Sequence, residues 1–198
     1  MTGFAYWHPV LYRLLMTGLY GRHFSARYEA VAEKIPAGAS VLDAACGDCL
    51  LWEFLAGKGV SYTGLDLNER FLGRAARRGI RVVAADLRAG GLPRADFVVL
   101  QGSLYQFIPE HRAVIDSLLG AAGTALILSE PVRNIALEGG RFGSVLADWA
   151  TRVRGQSYPS RFSRAEFVAL LREHGASSIE EIPGGRDVVG VIPKGPRR

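Results

Sequence analysis

The chain has 198 residues, 48% apolar and 22% charged, with 24 Lys and Arg against 19 Asp and Glu for a net charge of +5. That is enough chain to bury a core unaided, and the balance excludes a disordered polypeptide and a disulfide scaffold. Two cysteines point to a reducing, cytoplasmic setting, and the absence of zinc-finger spacing or aromatic RNA-binding patterns leaves no nucleic-acid partner expected.

The first 20 residues are apolar and aromatic, and Leu11, Leu14, Leu15 and Leu19 predict a helix over about 9–19. Arg13 and the break at Gly21-Arg22 stop it short of a membrane span, and no basic leader with a small-residue cleavage site precedes it. Ser25 is positioned to cap a second helix carrying Tyr28, Val31, Ala32 and Ile35 on one face. From residue 40 the pattern alternates. Short β-rich runs over 40–45, 61–65, 80–85, 95–101 and 124–129 are separated by helical stretches over 48–56, 69–78 and 109–119. Phe97-Val98-Val99-Leu100 and Ala125-Leu126-Ile127-Leu128 are continuously apolar, as strands covered on both faces of a parallel sheet must be.

The region 130–162 is less regular and reads as a substrate-side insertion or lid, with a helix near 144–153. Ser163 and Glu166 form a capping box that opens a helix to about His174, where Gly175 ends it. Two extended runs, 177–182 and 186–192, flank Pro183-Gly184-Gly185, a connection short enough only for a hairpin. These elements predict one α/β domain over 1–198. Its sheet is doubly wound, seven-stranded and mostly parallel, closes in an antiparallel hairpin, and has helices of 1–37 over its ligand side.

The chemistry concentrates at the end of the first strand. Val41-Leu42-Asp43-Ala44-Ala45-Cys46-Gly47-Asp48-Cys49 is a buried run that ends on an acid and turns through small residues. The next strand ends on Asp66. A bare turn lets a ligand approach the backbone, and a carboxylate one strand away can take both hydroxyls of a ribose, so the pair fits a nucleoside-bearing cofactor. A nicotinamide fingerprint needs glycine at 45, 47 and 50, where this chain has Ala45, Gly47 and Leu50. Cys46-x-x-Cys49 has the spacing of a redox motif, but no aromatic precedes it and the further βα units do not suit a thioredoxin-like domain. It reads as a coincidence of spacing. The cysteines lack a second pair for zinc, and no metal is expected.

With its elements placed, the chain over about 24–192 resembles the class I S-adenosylmethionine-dependent methyltransferases. Residues 41–49 match the acid and glycine turn of that family, Tyr62-Thr63-Gly64-Leu65-Asp66-Leu67-Asn68 its second strand, and Val83-Ala84-Ala85-Asp86-Leu87 its third. Residues 95–107 resemble the fourth strand and its loop, and 161–176 the penultimate helix of the small-molecule branch. Ala45 and Cys49 depart from the pattern by replacing its first and third glycines, where positive φ is harder to reach.

The resemblance implies S-adenosyl-L-methionine as cofactor, held by Asp43, Ala45, Cys46, Gly47, Asp66, Leu67, Asp86, Leu87 and Gln101. Asp66 would bind ribose and Asp86 adenine. It implies methyl transfer by direct displacement to a small-molecule acceptor, with Tyr105, Glu130 and His23 as candidate catalytic residues. The fourth-strand loop reads Gln101-Gly102-Ser103-Leu104-Tyr105-Gln106 and lacks the Asn-Pro-Pro-Tyr signature of amide and adenine methylation. The apolar amino-terminal helix and the arginines of the last third keep an anionic, lipid or quinone acceptor as the alternative. A non-catalytic adenosyl-ligand binder and an NAD-dependent oxidoreductase are the readings from other classes.

Overall fold

The computed structural model describes residues 25–132, 161–184 and 186–195. The helices expected at 9–19 and 144–153, most of the 130–162 segment, and His23 lie outside the described residues.

The elements in chain order are α1 (Ala26–Glu33), β1 (Ser40–Ala44), α2 (Leu50–Phe54), β2 (Ser61–Asp66), α3 (Glu69–Arg77) and β3 (Val82–Ala84). They continue with β4 (Ala95–Gln101), a 3-10 turn (Leu104–Phe107), α4 (His111–Ala121), β5 (Ala122–Pro131), α5 (Arg164–Glu173), β6 (Ser178–Glu181) and β7 (Asp187–Pro193). The strands form one seven-stranded sheet in the order β3-β2-β1-β4-β5-β7-β6. β1 to β5 pair in parallel, whereas β7 runs antiparallel to both β5 and β6. After β1 the chain builds outward to β3, then crosses to β4 on the other side. The loops after β1 and β4 therefore diverge and open a crevice at the carboxyl edge, where open α/β sheets bind ligands.

The apolar runs are buried on both faces, as their composition requires. Leu42, Ala44, Val98, Leu100, Leu126 and Leu128 meet Val114, Ile115 and Leu118 of α4 and Phe167, Leu170 and Leu171 of α5 in one core. Val41, Phe97, Val99, Ala125, Ile127 and Val189 meet Val31, Leu51, Leu55 and Ala75 of α1 to α3 in the other. Each fully buried aliphatic side chain contributes roughly 1.5–3 kcal/mol, so these layers outweigh weak local propensities. At Gly190 of β7 a Cβ would lie 2.5 Å from a methyl carbon of Leu171. α5 thus rests directly on the last strand.

Local signals set the helix ends. Ser163 accepts from the Glu166 amide while the Glu166 carboxylate accepts from the Ser163 amide, so the capping box is fully formed. Asn68 caps α3, with Glu69 in its first turn and Arg74 and Arg77 in its last, where each charge suits the helix dipole. Ser25 differs from expectation: its backbone is already helical and its side chain caps nothing. Its carbonyl accepts from the amides of Tyr28 and Glu29 instead. At the other end of α1, the Lys58 ammonium donates to the carbonyls of Ala32 and Ile35. Among the described residues no helix is long and apolar enough to cross a membrane.

Candidate functional site

The turn after β1 has a left-handed residue at every second position. Ala45, Gly47 and Cys49 have φ of 54°, 54° and 57°. The two non-glycine residues thus adopt the conformation that the missing glycines would have taken freely, at a cost of about 1–2 kcal/mol each. The left-handed Cys49 also delays α2, which starts at Leu50 instead of Asp48 and ends at Phe54. The Cys46 amide donates to the Leu65 carbonyl at 3.0 Å, and the Cys49 amide to the Cys46 carbonyl at 2.9 Å. This pins the turn to β2 and closes it as a four-residue β-turn. Ala45→Gly is expected to raise stability by up to about 1 kcal/mol, since relief of strain slightly exceeds the added freedom of the unfolded chain. Urea denaturation checks this, and a loss beyond about 1 kcal/mol would contradict the strain.

Asp66 ends β2 with its carboxylate facing the turn. One oxygen accepts from the Gly47 amide at 2.9 Å and the other from the Asn68 amide at 2.8 Å. The next helix is capped by Asn68, so the carboxylate is left to the crevice and the turn. Leu67 beside it is 41% exposed, one of two large apolar side chains so exposed among the described residues. Asp86 lies two residues beyond β3 and begins a turn, accepting from the Arg88 amide at 2.9 Å. Leu87 is buried in the core.

Beneath the turn, Asp43 is 4% exposed and accepts a 2.5 Å hydrogen bond from the Tyr62 hydroxyl. Burial pushes the Asp43 carboxyl up to about 7, against the opposing effect of that hydrogen bond. Tyr62 reaches it because the register β1 to β2 puts Asp43 beside Gly64, two residues along the same face from Tyr62. Gly64 also leaves room for the cysteines. A Cβ there would meet the Cys49 and Cys46 sulfurs at 2.8 and 2.9 Å.

The acceptor-side candidates occupy the ends of β4 and β5. Glu130 lies within β5, 1% exposed, and one oxygen accepts from the Ser103 and Leu104 amides at 2.7 Å each. Burial raises its carboxyl to about 7 despite these bonds. Glu130 therefore anchors the loop that carries Tyr105. Tyr105 is 6% exposed within the core, with the Arg161 guanidinium 4.4 Å above its ring centroid. Gln101 is half-buried and donates to the Arg27 carbonyl at 3.1 Å, while its amide oxygen is buried without a hydrogen bond. On that sheet face the register aligns Gln101 with Ser129 and Pro131 with Asp187. Arg27 of α1 covers this patch and pairs with Asp187 at 3.5 Å.

Sequence reasoning did not single out Tyr62, Arg27 or Asp187. The phenol could have been found from the alternation Val41-x-Asp43 beside Tyr62-x-Gly64 once the strands were paired. Arg27 and Asp187 carry no local signal.

Residues 25–134, more than half of the chain, match the family described as "Methionine biosynthesis protein MetW". Among curated proteins none matches the chain by sequence. Solved structures share its fold. Magnesium protoporphyrin IX methyltransferase from Synechocystis PCC 6803, with SAH bound, is 21% identical over 87% of this chain and 82% of its own, with a TM-score of 0.62. A TehB-like SAM-dependent methyltransferase from Corynebacterium glutamicum is 18% identical over 94% of this chain and 97% of its own, with a TM-score of 0.61. A Rhodobacter sphaeroides protein described among Zn-dependent alcohol dehydrogenases is 17% identical over 89% and 95%, with a TM-score of 0.62. At these identities the likeness establishes the class I methyltransferase fold.

Proposed function

This chain belongs to the MetW family, and on that premise we propose that it is an enzyme transferring a methyl group from S-adenosylmethionine to a small-molecule acceptor. The observation that carries the reading is Asp66, whose carboxylate stands at the crevice joined to the Gly47 amide. A turn with three left-handed residues presents bare backbone there, and a carboxylate that accepts from amides can equally accept from two ribose hydroxyls. Similarity to methyltransferases that bind SAH or SAM supports the same choice. The adenosyl group would lie between Ala45–Gly47 and Leu67, with Asp86 and Leu87 beside the base and Asp43, Cys46 and Gln101 lining the inner wall.

S-adenosylmethionine supplies a methyl group on a sulfonium sulfur, open to direct displacement. The chain's own part is to orient the acceptor and exclude water. Glu130 commits an oxygen to the Ser103 and Leu104 amides, which suits positioning of the Tyr105 loop better than proton abstraction. An acceptor whose nucleophile needs no strong base, such as a neutral amine, fits this wall best. Arg161 above Tyr105 favours an acceptor with an anionic group, and a lipid or quinone acceptor is the alternative within the same reaction class. The described residues and the flanking segments 1–24 and 133–160 are read as one catalytic domain, His23 included.

Thermal shift and calorimetric titration with S-adenosylmethionine, S-adenosylhomocysteine and NAD test the reading. At 100-fold excess over Kd the adenosyl ligands should raise Tm by about 5–10 °C. Stabilisation by NAD alone would overturn it.

A further inference from the structure

The two cysteines do more than fill the turn. The Cys49 thiol donates to the Cys46 sulfur at 3.4 Å. The β-turn closed by the Cys49 amide and the Cys46 carbonyl holds the two Cα atoms within about 7 Å, inside the range that a disulfide spans. Both sulfurs crowd the same side-chain-free surface of Gly64, so they face each other instead of diverging. Cys49 is fully buried, whereas Cys46 is half-buried and is the residue of the pair with exposed surface.

We propose that Cys46 and Cys49 are a thiol–disulfide modification site that weakens adenosyl-ligand binding when it closes. This rests on the cofactor reading above, because the disulfide would form inside the turn proposed to hold that ligand. The co-reactant is a small-molecule disulfide of the glutathione class. The Cys46 sulfur, losing its proton, attacks one sulfur of that disulfide, forms a mixed disulfide and releases one thiol. The Cys49 sulfur then attacks the Cys46 sulfur, closes the intramolecular bond and releases the second thiol. Two cysteine thiols are oxidised, one disulfide is reduced to two thiols, and the two protons pass to the leaving thiolates.

Two neighbours bear on the chemistry. The hydrogen bond with the Cys49 thiol and burial push the Cys46 thiol pKa up, and the charge of nearby Asp43 acts in the same direction. A Cys46 thiol held away from the thiolate attacks a disulfide slowly, so closure is a slow step.

Closure must shorten the 3.4 Å sulfur contact to a bond of about 2.05 Å. Its effect falls on Gly47, which lies between the cysteines and donates to Asp66. That displacement moves the Gly47 amide away from the position in which it meets the Asp66 carboxylate at 2.9 Å, and so distorts the backbone against which the ligand is proposed to lie.

The test equilibrates the whole chain in mixtures of reduced and oxidised glutathione, traps thiols with a maleimide and weighs the intact protein. S-adenosylhomocysteine is then titrated calorimetrically into each form. The expected result is a species lacking two hydrogens, with no bound glutathione and no maleimide. It should bind about tenfold more weakly, the loss of one net hydrogen bond, and a dithiol reductant should restore the affinity. Cys46→Ala should show one affinity regardless of the glutathione ratio, and Cys49→Ala should stop at an unresolved mixed disulfide, one glutathione heavier. In the wild type, two maleimide-reactive thiols persisting in excess oxidised glutathione, a mixed disulfide that never resolves, or closure with unchanged affinity would overturn the proposal. Failure of the reduced protein to bind at all would instead overturn the cofactor reading and the gating built on it, while the mass measurement still decides whether the disulfide forms.

Discussion

Asp66→Ala is expected to reduce affinity for S-adenosylhomocysteine by about 10²–10⁴-fold. Two hydrogen bonds from ribose hydroxyls to a charged carboxylate contribute about 1.5–3 kcal/mol each, and each 1.4 kcal/mol is a factor of about ten. The substitution also strips the Gly47 and Asn68 amides of their acceptor. Both sit at a partly open crevice where water can replace the carboxylate, so the fold should survive with a loss of about 1–2 kcal/mol. Calorimetric titration together with urea denaturation separates the two effects. Asp66→Asn, which keeps one acceptor oxygen, should fall between the wild type and Asp66→Ala. Affinity unchanged in Asp66→Ala would show that another residue holds the ribose.

Stability is expected to fall as pH rises from about 5 to 8, the reverse of the usual behaviour of carboxylates. Burial raises Asp43 from 3.8 and Glu130 from 4.5, each to about 7. An unfolded chain releases these protons first, so between about pH 4.5 and 7 the folded state binds more protons than the unfolded state. The stability gained is complete below the unfolded values and lost as pH rises through the folded ones. Each group accounts for on the order of 3–4 kcal/mol across that window. Asp96, Glu166 and Glu173 shift the other way but lie at the surface and act at lower pH. His111, lowered chiefly by burial, opposes the slope only below about 6.5. Urea midpoints at pH 5 and 8 measure the difference. Asp43→Asn should remove its share of the slope while retaining an acceptor for the Tyr62 hydroxyl. A slope that rises with pH would mean both carboxyls are ionised in the folded protein.

The alternation of buried runs and helices was readable because strands covered on both faces must be apolar throughout, as Phe97–Leu100 and Ala125–Leu128 are. The strand boundaries shifted by a few residues where pairing continued past the apolar run. β5 extends from Ala122 to Pro131 because β7 pairs with it as far as Asp187. The hairpin was legible from one short connection. Asp66 and the small-residue turn were legible because a strand that ends on an acid leaves the acid at the sheet edge. Tyr62 under Asp43 was not, since it depends on which residues stand in register across two strands. The spacing Cys46-x-x-Cys49 was visible and read as a coincidence; that the two sulfurs meet depends on the empty surface of Gly64 below them. Positive φ at Ala45 and Cys49 is a case where the fold imposed a glycine conformation on residues that resist it.

The reversal of β7 brings the start of that strand, with Asp187, to the edge where the parallel strands end. There it meets Arg27, and the neighbouring hairpin strand offers Glu180 to Lys34 at 2.7 Å. Both contacts join the first described helix to the last strands of the sheet. A ribosome delivering the chain from its amino end must therefore make residues 178–193 before Arg27 and Lys34 have these ionic partners. During synthesis the carboxyl ends of β4 and β5 and the face of Arg27 stay uncovered longest, a topology with slow, long-range closure. The ligand edge is then the last part of the protein to mature and the first to be left open when synthesis stalls.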